Sequence, residues 1–329
     1  MKTVFVKGRK RRPEEFQFYM HQFVETLKAT GVPTKEEIIV TYKYKLSSIF
    51  IRVIRLLYIL RLYRKSKGKA LIVTSRGENL LSNSTPYYLR YEIIPMLWDV
   101  WPYSWNHIEK TIKQLKIRTV LVTVKSYAEK IKSEFGINAV WVPEGIDIKC
   151  YHRGTDLVKR KYDICEMGRQ YEPYHQIIQN LHKNGGVNGF FRTTYDDNGK
   201  VLKFAFETNE EMYEKLPQTK IMVNFPKSVT HPEEAGSVET LTQRYWEAML
   251  CRCLIIGKAP KELIELIGYN PVIEVDWNRT EKQLTDIISH ISDYQELVDK
   301  NYAFAIKNAS WESRVPLLKD KLEKLGYQI

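Results

Sequence analysis

Two glutamates, Glu239 and Glu247, stand with seven residues between them in the stretch SVETLTQRYWEAMLCRCLIIG, Ser237 to Gly257. Each ionised carboxylate accepts through two oxygens, and hydrogen bonds to a charged acceptor are the strong kind. Two of them suit a ligand that presents hydroxyls in two places. Glu239 falls in the polar run THPEEAGSVET, which places it at a helix start, where backbone N–H groups face outward and favour an anion. A diphosphate resting there, with a hydroxyl-bearing group on either side, is the chemistry this arrangement offers. On a helical wheel Leu241, Tyr245, Ala248 and Met249 share one side, and Gln243, Arg244, Glu247 and Cys251 form a polar stripe on the other. By spacing alone the competing reading is a solvated stripe, with Glu247 paired to Arg244 at i,i+3.

The elements that must position these residues alternate along the chain. KTVFV reads as a strand and FQFYMHQFVETLKATG as an amphipathic helix ending at Gly31. KALIVTS, RTVLVTV and NAVWVPEGID read as buried β-branched strands, with SYAEKIKSEFG as a helix between the last two. The pattern restarts after Tyr151 with the strand YDICEMGR, the helix EPYHQIIQNLHKNGG, the strand TKIMVNF, the Glu239–Glu247 segment, and the strands CLIIG and PVIEV. Such alternation predicts parallel sheets covered by helices, and the restart predicts two of them, with a joint near 148–161. The expected domains are 1–150, 151–310 and a closing helical segment, 311–329, able to pack back on the first. TTYDDNGKVLKFAF reads as a hairpin turning at Asn198-Gly199, so the carboxylates Asp196 and Asp197 serve the turn.

With 329 residues, 43% apolar and 27% charged, the chain has a globular composition with room for two cores. Its four cysteines are too few for a disulfide framework, and Cys251-x-Cys253 lacks a second pair for zinc. The basic start MKTVFVKGRKRRPEEF has no apolar signal core, so a cytoplasmic location is expected. A formal charge of +12 points to anionic partners: phosphorylated substrates, an anionic lipid surface, or nucleic acid. The basic residues are spread out, with no nucleic-acid reader motif among them. The apolar run Leu46 to Lys69 is interrupted by Arg52, Arg55 and Arg61, each costing roughly 2.5–3.5 kcal/mol near a bilayer centre. It therefore does not span a membrane. Two readings stay open: a helix packed on the first sheet with snorkelling arginines, or one lying on the inner face of an anionic membrane.

The stretch E-TLTQRYW-EAM followed by CLII resembles the E-x7-E signature of glycosyltransferases with the GT-B fold, closest to the mostly retaining group that builds bacterial surface polysaccharides. VWVPEGIDIKCYHR, VTVKSYAEKIKSEFG, ICEMGRQYEPYH, WDVWPYSW and SWESRVPLLKDKL resemble further segments of that family in the same order. The resemblance implies two Rossmann-like domains with parallel sheets facing each other across a cleft. It implies transfer of a sugar from a nucleoside diphosphate to a hydroxyl of a glycan or lipid-linked glycan, with no cofactor and no bound metal. Carried over, Glu247 holds the ribose and Glu239 the transferred sugar, beside the amides of Thr240 and Leu241. Gly168 and Arg169 meet the diphosphate, Arg244 lines the donor site, and Asp99, in the WDVWP loop, faces the cleft, with a helix N-cap as its alternative role. His175 stands where the family carries a diphosphate-binding lysine, Trp98 where it carries histidine, and Arg252 where it carries a small residue. A non-catalytic homologue and a basic nucleic-acid-binding protein, with a DNA base as acceptor, are the rival readings.

Overall fold

The computed structural model describes residues 1–9, 19–35, 44–196 and 198–329, those of 44–48 by backbone alone. The chain divides into two compact units, Met1–Gly145 with Trp311–Ile329, and Ile146–Ser310. Asp197 and the first residues of the helix expected from Phe16 lie outside the described residues; that helix is seen over Tyr19–Ala29.

In unit 1 the strands are β1 (Lys2–Lys7), β2 (Thr34–Lys35), β3 (Lys69–Arg76), β4 (Glu92–Trp98), β5 (Thr119–Val122) and β6 (Asn138–Trp141). They form a parallel sheet in the order β1-β3-β4-β5-β6, with β2 beside β1. The buried run Ala70–Ser75 of β3 is what a strand covered on both faces requires. β4 has no counterpart among the strands expected from the sequence, and it carries Pro95, a residue that cannot donate to a ladder. Its ladder to β5 begins only at Met96, so Pro95 lies outside that ladder. The closing segment adds the helix Val315–Lys324 and a strand at the other edge of β1, β14 (Tyr327–Gln328). Trp311, Leu318, Leu322 and Tyr327 join Val4, Phe23, Leu27, Ile72 and Trp98 in one core.

Unit 2 contains β7 (Tyr162–Glu166), β8 (Phe190–Arg192), β9 (Thr194–Tyr195), β10 (Val201–Lys203), β11 (Thr219–Asn224), β12 (Leu254–Gly257) and β13 (Val272–Glu274). β9 and β10 are the antiparallel hairpin, and the Asp196 carboxylate accepts the N–H groups of Asn198 and Lys200 in its turn. The others form a parallel sheet in the order β8-β7-β11-β12-β13. β8 lies on one side of β7 and β11 on the other, so the strand order reverses between β7 and β11, and sheets of this kind hold ligands outside the carboxyl ends of their strands at that point. One face packs on the helix Gln243–Leu250 through Cys165, Met222 and Ile255. The other packs on the helix Glu172–Lys183 through Ile164, Ile221 and Val223.

Arg252 takes the left-handed turn between Leu250 and β12, at φ +57°. Its buried guanidinium donates to Asp299 and to the Gly154 carbonyl, 2.7 Å each, and to Asp156 at 3.2 Å. The position that is small in the resembling family is here a clamp on that turn.

Candidate active site

Most of the expected donor residues gather at the carboxyl end of the unit 2 sheet. The strand β7 delivers Gly168 two residues past its end, at φ +75°, a conformation that glycine adopts without strain. A side chain there would meet the Arg244 guanidinium, with a Cβ 3.0 Å from Nη1. Arg244 Nη1 donates to the Met167 carbonyl at 2.8 Å and to the Arg169 carbonyl at 3.4 Å, so the helix Gln243–Leu250 braces the Gly168–Arg169 loop. The Arg169 charge acts on Tyr195, Glu234 and Tyr245, which locates it among these elements.

Glu247 lies one turn into the same helix and is buried, 8% exposed, rather than solvated. Tyr151 Oη donates to its Oε1 at 3.0 Å. Burial, then the Glu247 charge, hold the Tyr151 phenol well above its usual range, so it stays a donor. Glu247 Oε2 has no hydrogen-bond partner among the described residues. Burial pushes the Glu247 carboxyl up, against the opposing pull of the Tyr151 hydrogen bond and the Arg244 charge. A second buried acceptor without a partner among the described residues is Asn224 Oδ1, at the end of β11, whose amide donates to the Arg244 carbonyl at 3.2 Å.

Three expectations are corrected. Glu239 is not at the start of the helix that carries Glu247, which begins at Gln243 with Thr242 before it. Its carboxylate instead pairs with Lys258 and accepts the N–H of Lys261, the first residue of the next helix, at 3.2 Å. The Leu241 amide is taken by the Glu262 carboxylate, and Thr240 is buried beside it, so the Leu241 N–H is not free for a sugar. His175 is buried within the helix Glu172–Lys183, its Nδ1 on Glu166 and its Nε2 against Gln179 and Arg192. No ring nitrogen is left for a diphosphate. Accordingly, His175→Ala should leave the pH dependence of nucleoside-diphosphate binding unchanged in a titration followed by calorimetry. It should lower stability by about 1–3 kcal/mol, the scale of a buried group losing its partner. The cost is bounded because burial already raises the Glu166 carboxyl, which can protonate once the His175 hydrogen bond is gone.

Asp99 belongs to unit 1, directly after β4, at φ +49°. It accepts from Tyr19 Oη at 2.8 Å and pairs with Arg76 Nε, at the end of β3, at 3.3 Å. It caps no helix: the nearest helical turn starts at Pro102, with Trp101 before it. Trp98 is fully buried against Tyr19, Phe23 and Trp311, an anchor for this corner rather than a polar group. Tyr151, Asn224, Lys258 and Glu262 escape the sequence reading. Each acts through a partner distant along the chain, and no local pattern marks them.

No protein-family model matches the chain, and no curated protein sequence matches it. Solved structures do. TarM superposes with a TM-score of 0.55 at 13% identity over 82% of this chain, which spans 57% of the TarM chain. HepE from Anabaena, in complex with UDP and glucose, gives 0.60 at 10% identity over 98% of this chain and 100% of its own. AviGT4, a glycosyltransferase involved in avilamycin A biosynthesis, gives 0.57 at 12% over 98% and 97%. A UDP-N-acetylglucosamine 2-epimerase gives 0.52 at 11% over 99% and 97%. Likeness at such identities carries the fold, and the fold is α/β with the GT-B architecture of two Rossmann-like units.

Proposed function

We propose that the chain is a glycosyltransferase that moves a sugar from a nucleoside diphosphate to a hydroxyl of a glycan carried on a lipid, in surface polysaccharide synthesis. The observation that carries this reading is the Glu247 carboxylate, buried at the switch-point end of unit 2 with one oxygen on Tyr151 and the other without a partner among the described residues. A buried charged acceptor lacking a donor is costly, and the adjacent hydroxyls of a ribose are suitable donors. That second oxygen is itself buried, so a ribose engages it by turning the side chain outward. HepE, which shares the fold, is seen with UDP and glucose, and this supports a nucleotide sugar as ligand.

In this reading unit 2 holds the donor and unit 1 the acceptor. Arg169 and the first amides of the helix at Gln243 stabilise charge on the departing diphosphate as the bond from sugar to phosphate oxygen breaks. Asp99, held by Tyr19 and Arg76, serves the acceptor side. The reaction is proposed to retain configuration and to need no bound metal.

The test is a panel of nucleoside diphosphates in thermal shift, since a specific ligand stabilises by mass action. It is followed by donor consumption with and without glycan acceptors, in the presence and absence of a chelator. Acceptor-dependent release of nucleoside diphosphate supports transfer. Binding without release marks a non-catalytic homologue, and a new sugar isomer formed without acceptor marks an epimerase. Glu239→Gln keeps a hydrogen-bonding side chain and loses the charge that holds Lys258 and the Lys261 amide. It is expected to lower kcat roughly 10–100-fold, the scale of a misplaced reacting group, with little change in nucleotide affinity. Parental turnover would remove Glu239 from the site.

A further inference from the structure

The helix Tyr44–Ile59 leaves one side of unit 1 with an unusual surface. Its inner side is pinned by Tyr58, whose ring stacks on Tyr63 at 5.1 Å and meets Tyr88 edge-on at 5.2 Å. On its outer side Ile49, Val53, Leu56 and Leu60 are each at least half exposed, between 50% and 55%. At 100° per residue these four lie within an arc of about 60°, a continuous aliphatic stripe. Ile59 and Leu62, 62% and 64% exposed, extend it. Isolated exposed aliphatics are ordinary, but a contiguous stripe rimmed by polar residues marks an interaction surface.

Charge selects the occupant. Between Glu37 and Glu78 the chain carries no acidic residue, while Arg52, Arg61, Arg64, Lys65, Lys67 and Lys69 flank or follow the stripe and are exposed. We propose that this face docks on an anionic lipid surface, with Ile49, Val53, Leu56 and Leu60 entering the boundary of headgroups and acyl chains and the basic residues meeting lipid phosphates. A second copy of the chain would set like charges against each other. A nucleic acid would have no use for an aliphatic stripe, since bases stack on rings. No helix among the described residues is long and apolar enough to cross a membrane, so the contact lies in the plane of the surface. The inference is independent of the donor site in unit 2, and its failure would leave glycosyl transfer untouched.

The test uses the full chain, co-sedimented with phosphatidylcholine vesicles with and without phosphatidylglycerol. Binding should need the anionic lipid and fall as salt rises, because screening shortens the reach of exposed charges. Arg52→Glu/Arg61→Glu/Arg64→Glu should weaken binding about fivefold or more per residue at low salt. Val53→Gln/Leu56→Gln/Leu60→Gln, at exposed positions where glutamine is a good helix former, should abolish it. A Leu56→Trp reporter in the otherwise native chain should shift its emission to the blue only with anionic vesicles, and it keeps the test valid if a triple variant misfolds. Equal binding to neutral vesicles, no sedimentation with anionic ones, or a Leu56→Trp variant whose emission stays unmoved would overturn the proposal. So would a parental dimer that the glutamine variant turns into a monomer while vesicles bind neither.

Discussion

Replacing Glu247 with glutamine should weaken nucleoside-diphosphate binding by about 1–3 kcal/mol, roughly 5–150-fold, and stabilise the empty protein near neutral pH. The two effects have one origin. Glu247 is buried beside a single donor, Tyr151, and its second oxygen has none among the described residues, so the folded protein holds a carboxylate short of partners. Burial raises its pKa over the opposition of Tyr151 and Arg244. A carboxyl raised in the folded state contributes stability that is full below the unfolded pKa and is lost as pH rises through the folded value. Glutamine does not titrate. Its advantage over the parent should therefore be largest above the folded pKa and vanish in acid. Bound hydroxyls satisfy the charge in the parent and reverse the order once ligand is present. Denaturant unfolding at several pH values, with and without a nucleoside diphosphate, reads both effects. If Glu247→Gln binds nucleotide as tightly as the parent, Glu247 does not hold the ribose. If it is less stable at neutral pH, the carboxylate is a structural partner of Tyr151 and Arg244.

Gly257→Ala should be among the most damaging single-methyl changes in the chain, costing about 3 kcal/mol or more. Gly257 ends β12 at φ +140°, beside Asn224 at the end of β11. A Cβ there would lie 2.0 Å from the Asn224 carbonyl oxygen and 2.8 Å from its carbon, both backbone atoms that cannot swing aside. That carbonyl also accepts the Lys258 N–H at 3.0 Å, so relief of the clash breaks a hydrogen bond where both strands reach the candidate site. Asn224 braces the Arg244 carbonyl on the helix that carries Glu247, so any variant that still folds should also lose nucleotide binding. Thermal unfolding and nucleotide titration check the two parts. A variant within about 1 kcal/mol of the parent, the ordinary effect of a point substitution, would show that the two strands separate more readily than their geometry implies.

How much of this was legible in the residue order follows from the range of each interaction. Runs such as ALIVTS, TVLV and LIIG announce buried parallel strands because burial on both faces demands continuous apolar residues. Gly136 announces the end of its helix because the left-handed cap excludes most side chains. The alternation of those runs, restarting after the first sheet, was enough for the α/β class and for two sheets. β4 stayed hidden; its Pro95 is a local signal against a strand, and only pairing with β3 and β5 outweighs it. β14 stayed hidden for a different reason: two residues carry no period, and their place beside β1 is made by a core shared with the far end of the chain.

The candidate site divides along the same line. Residue order alone determined which groups with the right chemistry exist, and that Gly168, Arg169, Arg244 and Glu247 fall near strand ends and a helix start, because those positions follow from local periodicity. Which of them keep free valence was decided only by tertiary structure. His175 and Glu239 have chemistry suited to a diphosphate and a sugar, yet Glu166 and Gln179 enclose the first, and Lys258 with the Lys261 amide engages the second. Glu247 has the same composition as Glu239 and the opposite outcome, one oxygen buried without a partner among the described residues. A hydrogen-bonding group is spent or available according to what the folded chain brings within about 3 Å of it, and that distance bears no relation to separation along the sequence.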